Sequence, residues 1–265
     1  MVFPCWDRSS RFRLTQGDGI MTAIYNLSVD DLSIDSSEAR NTAAPYAAAY
    51  QAAKPYNHIC IDNFLPVEIL ENVEADLRSL PETESSFDRD QERLKTAYSP
   101  DRLPFYSKSL FHALNSRPFI FFLEQLTGIK GLIPDPYYMG AGIHRVANGG
   151  HLDIHADFNL HAPMQIERRL NVLIYLNRDW REEWGGSFEV WNKAMTTQGG
   201  ELRADLQPHG LLQHGLRHVS RQPYAGESAR RRAEAFDRAL LLYRDVGTAS
   251  QVAHDALQAT SRHRG

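Results

Sequence analysis

Apolar and polar positions divide the chain into two kinds of pattern. In PVEILENVEADLRSL, Val67, Ile69, Leu70 and Val73 recur at helical spacing, and Pro81 closes the stretch. A second helical stretch is expected from Ser107 to Leu114. A third, PFIFFLEQLTGI, is apolar enough that it must pack on a core. Ahead of them, HICID is a short β-type run and DNFLP a turn. From Pro134 the period changes. YYMGAGIHRV, HLDIHADF, RLNVLIYLN and GGSFEVW are strand-like segments of similar length. Turn signals at Ala147-Asn148-Gly149-Gly150 and Trp184-Gly185-Gly186 separate them. Helices succeeded by short, evenly spaced strands predict an α+β protein, with helices flanking an antiparallel β sandwich or barrel.

The two ends differ from this middle. Residues 1–20 share no pattern with the rest of the chain, and MTAIYNLSVDDL makes Met21 a natural start beside Met1. Residues 22–54 are polar and alanine-rich. The expected division is therefore a poorly ordered extension over 1–54, a folded domain over 55–193 and an atypical tail over 194–265. No internal repeat is visible.

Composition narrows the class. The 265 residues are 42% hydrophobic and 10% aromatic, which suits a globular chain with a substantial core. A net charge of −4 gives no pull toward nucleic acid or anionic membrane. No apolar run reaches the roughly 18–20 residues that span a bilayer, and the start lacks the apolar stretch of a signal peptide. Two cysteines, Cys5 and Cys60, fit a reducing compartment. These features predict a cytoplasmic protein with neither nucleic-acid nor membrane partners.

The candidate chemistry lies in His151-Leu-Asp-Ile-His-Ala-Asp-Phe158. Side chains alternate along a strand, so His151, Asp153, His155 and Asp157 would share one face, and Leu152, Ile154, Ala156 and Phe158 the other. Imidazoles and carboxylates on one face are costly to bury unless they bind something. His-x-Asp is two thirds of the 2-His-1-carboxylate facial triad that holds iron(II) with positions open for other ligands. The bare tripeptide is common by chance, and its bland reading is a solvated strand face.

Its setting carries more. GGHLDIHADFNLH, RRLNVLIYLNRDW and EEWGGSFEVW, in that order, resemble the iron(II)/2-oxoglutarate-dependent dioxygenases related to prolyl 4-hydroxylase. The resemblance runs from Asn57 to Lys193 and is most specific from Gly140 to Trp191. It implies a double-stranded β-helix, or jelly roll, with flanking N-terminal helices. It implies Fe(2+) as metal and 2-oxoglutarate as co-substrate, and leaves room for ascorbate. It implies consumption of dioxygen and hydroxylation of a small-molecule or peptide substrate. The family pattern sets the metal pair just before Phe-Asn, which carries over to His155 and Asp157. His151 and Asp153 form a lower-ranked pair earlier on the same face. Some relatives have Tyr three residues before the first ligand His; here Leu152 stands there, which leaves the prolyl substrate assignment open.

The tail lacks what the resemblance requires. A distal His must complete the triad, and an Arg or Lys must pair with the far carboxylate of 2-oxoglutarate. From Glu201 on there is no Lys, Ile, Asn, Met, Trp or Cys, and SARRRAEAFDRALLLYRD reads as a charged amphipathic helix. His209, His214 and His218 are candidate third ligands, none within the family pattern, and no anchoring Arg is found in frame. With the reading frame moved by one nucleotide, synonymous codons allow DLQPHGLL to become Ile-Phe-Asn-Arg-Met-Val-Phe-Phe. VSRQPYA becomes Tyr-His-Gly-Asn-Pro-Met-Pro, and AEAFDRALLLYR becomes Arg-Arg-Arg-Ser-Ile-Ala-Leu-Tyr-Tyr-Tyr-Thr. These are the missing motifs, in order. A frameshift is therefore expected between about Thr197 and Asp205, leaving the last strands of the jelly roll missing or disrupted. Two alternatives stand beside the active enzyme: a catalytically inactive remnant, or a jelly-roll binding module without redox chemistry.

Overall fold

The computed structural model describes residues 23–54, 56–80, 86–89, 92–152, 158, 160–176, 188–191, 198–202, 209–214 and 236–245. Two helices come first, α1 (Ser36–Ala43) and α2 (Ala47–Ala52). Asp35 caps α1: its Oδ1 accepts the backbone N–H of Ser37 at 2.7 Å and of Glu38 at 3.1 Å, and these bonds hold its carboxyl below the usual carboxylate range. Strand β1 (His58–Asp62) leads into α3 (Val67–Arg78), whose Ile69, Leu70 and Val73 are buried as their spacing predicts, together with Leu77, while Val67 in the first turn is exposed. Helices α4 (Phe105–Leu114) and α5 (Arg117–Thr127) complete the layer, with Gly128 in the left-handed conformation ending α5.

Tyr25, Phe64, Phe119 and Phe122 form the centre of this layer, with ring centroids 5.1–6.1 Å apart. Residues 22–54 look weakly ordered by composition, yet Tyr25, Tyr46 and Tyr50 are buried in the common core. Three tyrosines bring enough apolar surface to order an otherwise polar segment.

The remaining strands are β2 (Ser86–Arg89), β3 (Glu92–Tyr98), β4 (Leu132–Pro134), β5 (Gly142–Leu152), β6 (Leu160–His161), β7 (Ile166–Tyr175), β8 (Phe188–Trp191), β9 (Gln198–Leu202), β10 (His209–His214) and β11 (Phe236–Asp245). The main sheet runs β1-β10-β7-β11-β5-β3-β2, with neighbours antiparallel; β4 also pairs β11 and β6 pairs β7. β8 and β9 form a separate antiparallel pair. The result is the α+β arrangement expected.

The tail departs from its sequence pattern, which predicts that strands stop before Glu201 and that 228–245 is helical. Instead β10 fills the place between β1 and β7, and β11 the place between β7 and β5. The run Ala239-Leu-Leu-Leu-Tyr243 is apolar at every position, a pattern that suits a buried central strand as well as a helix. The backbone of β5 and β7 on either side decides between them, because buried N–H and C=O groups require partners. The last strands of the sheet are thus present as backbone.

Gly142 fixes the start of β5. Its φ is +146°, and a Cβ there would stand 2.3 Å from the carbonyl oxygen of Tyr98 on β3. Only glycine allows β3 and β5 to approach this closely.

Candidate metal centre

The main sheet has two unlike faces. Ile59, Ile61, Tyr98, Ile143, Leu170, Val172 and Ile174 join the core that includes the helices. The alternate positions lie outside that cluster yet are also buried: His144, Val146, Asn171, Leu173 and Tyr175 are each under 8% exposed. The register keeps the faces distinct across strands, since Ala239 lies opposite both Ile143 and Ile174, and position 238 opposite both His144 and Tyr175. Period-2 alternation therefore carries polar groups onto one buried face.

The segment with the expected metal ligands follows β5 in the chain. That strand ends with His151 opposite Arg93 and Leu152 opposite Glu92. Five residues intervene before Phe158. Here Arg168 holds the chain: Nη1 donates to the Phe158 carbonyl at 3.4 Å, and the guanidinium lies 4.6 Å over the Phe158 ring. Arg168 is itself buried and also donates to Asn171 Oδ1.

A second clamp lies three residues on. His161 is 0% and Asp135 1% exposed, and His161 Nε2 stands 3.1 Å from Asp135 Oδ1. His161 Nδ1 accepts the backbone N–H of Met164 at 3.1 Å, so the ring's proton sits on Nε2 and is donated to Asp135. Asp135 also accepts the N–H of Tyr137 and of Met139, each at 2.9 Å. Three donors on one carboxylate meet the cost of burying it. The pair ties the loop after β4 to β6 and its turn.

Of the residues singled out by sequence, Asp153, His155, Asp157 and His218 lie outside the described residues, and His151 is described as backbone in β5. His209 and His214 occupy the two ends of β10. Position 214 lies opposite Leu170, on the helix-side face, and position 209 shares the parity of 213, which lies opposite Asn171. Of these two, position 209 is therefore the one on the polar buried face. Among the described residues, no group of three His, Cys, Asp or Glu is gathered to hold a metal ion.

Sequence reasoning passed over Asp135, His161, Arg168, Asn171 and Tyr175. For the last two a signal existed: in RLNVLIYLN they are polar-bearing residues four apart, hence on one strand face, inside an otherwise apolar run. Nothing local marks Asp135, since its partner His161 is distant in sequence.

Residues 141–264 match the model of the 2OG-Fe(II) oxygenase superfamily. Over those residues the chain is similar to that superfamily. Enzymes of that superfamily depend on Fe(2+) and 2-oxoglutarate, and the match supports a 2-oxoglutarate-dependent oxygenase. Among solved structures the oxygenase resembles a prolyl hydroxylase of Trichoplax adhaerens, solved with a peptide fragment of the hypoxia-inducible-factor oxygen degradation domain. There the identity is 13% over 79% of this chain and 91% of that one, with a TM-score of 0.52. It also resembles a Pseudomonas putida prolyl-4-hydroxylase, at 12% identity over 76% and 100% of the two chains and a TM-score of 0.52. A Phytophthora capsici prolyl 4-hydroxylase gives 15% identity over 83% and 68%, with a TM-score of 0.53. At such identities the likeness is one of fold. No curated protein sequence matches the chain. No helix among the described residues is long and apolar enough to cross a membrane.

The donor types expected from the sequence at His155 and Asp157 are those of the family's metal. An imidazole and a carboxylate two residues apart supply a nitrogen and an anionic oxygen, the donor types of an iron(II) facial triad.

Proposed function

We propose that this oxygenase hydroxylates an amino-acid or peptide side chain at a centre held by His155 and Asp157, inside a jelly roll formed by the main sheet and its continuation. Iron with 2-oxoglutarate supplies the oxidising power, turning 2-oxoglutarate into succinate and carbon dioxide while dioxygen is consumed. The protein's part is to hold the ligands, shield the site from water and orient the substrate's C–H bond. Prolyl-hydroxylase-like action on a peptide is the favoured case, with free amino acids and small metabolites as competitors. The cytoplasm is the compartment this reading favours, with no nucleic-acid or membrane partner.

One observation carries the proposal. The five residues containing His155-Ala156-Asp157 come between Leu152, paired in β5, and Phe158, held by Arg168, and both β5 and β7 contribute polar groups to a buried sheet face. Anaerobic Co(II) titration and aerobic succinate formation test it. The chain as encoded should bind Co(II), and His155→Ala and Asp157→Ala should each abolish that binding. Co(II) affinity unchanged in both variants would sink the ligand assignment. Hydroxyproline in a proline-bearing peptide, against free amino acids, decides the substrate class.

A second reading rests on the tail. Residues 201–265 lack His-Gly-x-Pro and Arg-x-Ser strings, and frame-shifted back-translation restores both. The chain as written would then be a remnant with weakened metal binding, and residues 194–265 an out-of-frame segment. Reading the coding DNA from the codon of Lys193 to that of Asp245 in all frames tests this. Absence of the restored strings removes the reading and leaves His209, His214 and His218 as third-ligand candidates, with position 209 on the polar face.

A further inference from the structure

Strand β3 inverts the usual preference of two neighbouring side chains. Leu94 is 45% exposed, while Lys95, the next residue, is only 9% exposed. An apolar group in water and an amine in the interior are both unfavourable locally. The backbone imposes the exchange. Leu94 has a φ of +51°, a left-handed conformation that residues other than glycine rarely adopt. It falls where the pairing of β3 with β5 is interrupted. Lys95 lies opposite Val146 and Arg93 opposite His151, so Leu94 and residues 147–150 stand between the two pairs. Strain of this kind persists where the surrounding structure requires it, and it gathers at ligand sites.

The register shows what Lys95 joins. Val146, opposite Lys95, and His144, opposite Ala97, lie on the far face of the main sheet. Lys95 and His144 are therefore diagonal neighbours on that face, roughly 7–8 Å apart and within reach of a long side chain. Both ring nitrogens of His144 are shielded from water. An amine and an imidazole can each donate hydrogen bonds. The stretches that pair around them, 95–98, 142–146 and 171–175, contain no Asp or Glu. Two donor groups close together in a water-poor setting, on stretches without an acid, suit a carboxylate with its two oxygens.

We propose that Lys95 and His144 form a carboxylate-binding site on the buried far face, with the Lys95 ammonium as its cation. The ligand class is a small organic acid, either 2-oxoglutarate or an amino-acid substrate. Naming those two sources rests on the oxygenase reading. The site itself does not, since neither residue belongs to the metal segment. Its cation comes from β3, ahead of that segment, whereas the family pattern sets one in the tail.

The test uses the full chain freed of metal with EDTA. Isothermal titration with 2-oxoglutarate, succinate, L-proline and the uncharged succinamide is run beside a thermal melt. A carboxylate should bind and succinamide should not. Lys95→Met should weaken that binding roughly 10–100-fold, the loss of a charge-assisted hydrogen bond, with the melt little changed. Lys95→Arg should retain binding, and His144→Gln should weaken it. Lys95-dependent binding of 2-oxoglutarate and succinate assigns the site to the co-substrate; Lys95-dependent binding of L-proline in their place assigns it to the substrate. No carboxylate binding in wild type overturns the proposal. So does wild-type affinity in Lys95→Met with a lowered melt, the mark of a structural role. His155→Ala should bind the carboxylate as wild type does. Loss of Co(II) binding in that variant therefore tests the metal assignment separately, and either reading can fail while the other stands. Where Lys95→Met does not fold, Lys95→Gln and His144→Gln decide: wild-type affinity in both overturns the proposal.

Discussion

The helical layer and the far face of the sheet are both buried, but they are built from opposite materials. Around Tyr25, Phe64, Phe119 and Phe122 the contacts are ring against ring. On the far face, and in the loops at its edge, Asn171, Tyr175, His144, Arg168, Asp135 and His161 are buried beside the apolar Val146 and Leu173. Apolar packing is non-directional and tolerates small shifts, whereas each buried polar group needs a partner at a set distance and angle. The first region supplies stability; the second uses part of that stability to hold groups in place.

The largest expected effect lies in the first region. Phe122→Ala should cost about 4 kcal/mol of unfolding free energy, measured by denaturant titration. The Co(II) affinity of the protein that remains folded should stay as in wild type. A parallel loss of metal affinity would mean that the two regions are not separable. Asp135→Ala should cost about 3 kcal/mol by leaving His161 without its buried acceptor. Unlike the helical variant, it should also weaken Co(II) binding, because the turn beyond the metal segment is released. Gly142→Ala should cost on the order of 2 kcal/mol, from strain at a positive φ and the clash with the Tyr98 carbonyl.

A smaller effect depends on pH. His58 is buried, and burial pushes its imidazole below the ordinary value, partly offset by its bond to the Tyr56 carbonyl. A histidine whose folded pKa is depressed takes up protons more readily when unfolded. Its stabilising contribution is therefore complete above the unfolded value of about 6.5 and is lost as pH falls below it. His58→Asn should flatten the acid side of a stability–pH profile; an unchanged slope would assign the acid sensitivity elsewhere. The smallest effect is expected from Tyr25→Phe. Among the described residues the Tyr25 hydroxyl has no hydrogen-bond partner, and burial raises its pKa. Removing it should be neutral or stabilising by about 0.5 kcal/mol; a clear loss would show a polar role inside the aromatic layer.

Much of the framework is legible in the chain itself. The i, i+3, i+4 spacing of Val67, Ile69, Leu70 and Val73 places α3, the apolar run Phe119–Leu123 places α5, and RLNVLIYLN places β7. GGHLDIHADFNLH and its companions point to the oxygenase family, because spaced motifs in fixed order are rarely matched by chance. β10 and β11 are not legible in this way. Their residues have ambiguous periodicity, and only the places beside β7 fix them as strands. Residues 22–54 conceal their order for a related reason: their three tyrosines signal it only once the helices exist to receive them.

The sequence by itself carried the resemblance to the oxygenase family, the proposal of His155 and Asp157 as metal donors, and the helices whose burial is periodic. The tertiary structure decided which distant groups hold the ends of that segment. Asp135 meets His161, and Arg168 meets Phe158, through pairings between strands far apart in the chain. Local pattern reports what a residue prefers; hydrogen-bond geometry in a buried site depends on where other strands place its partner.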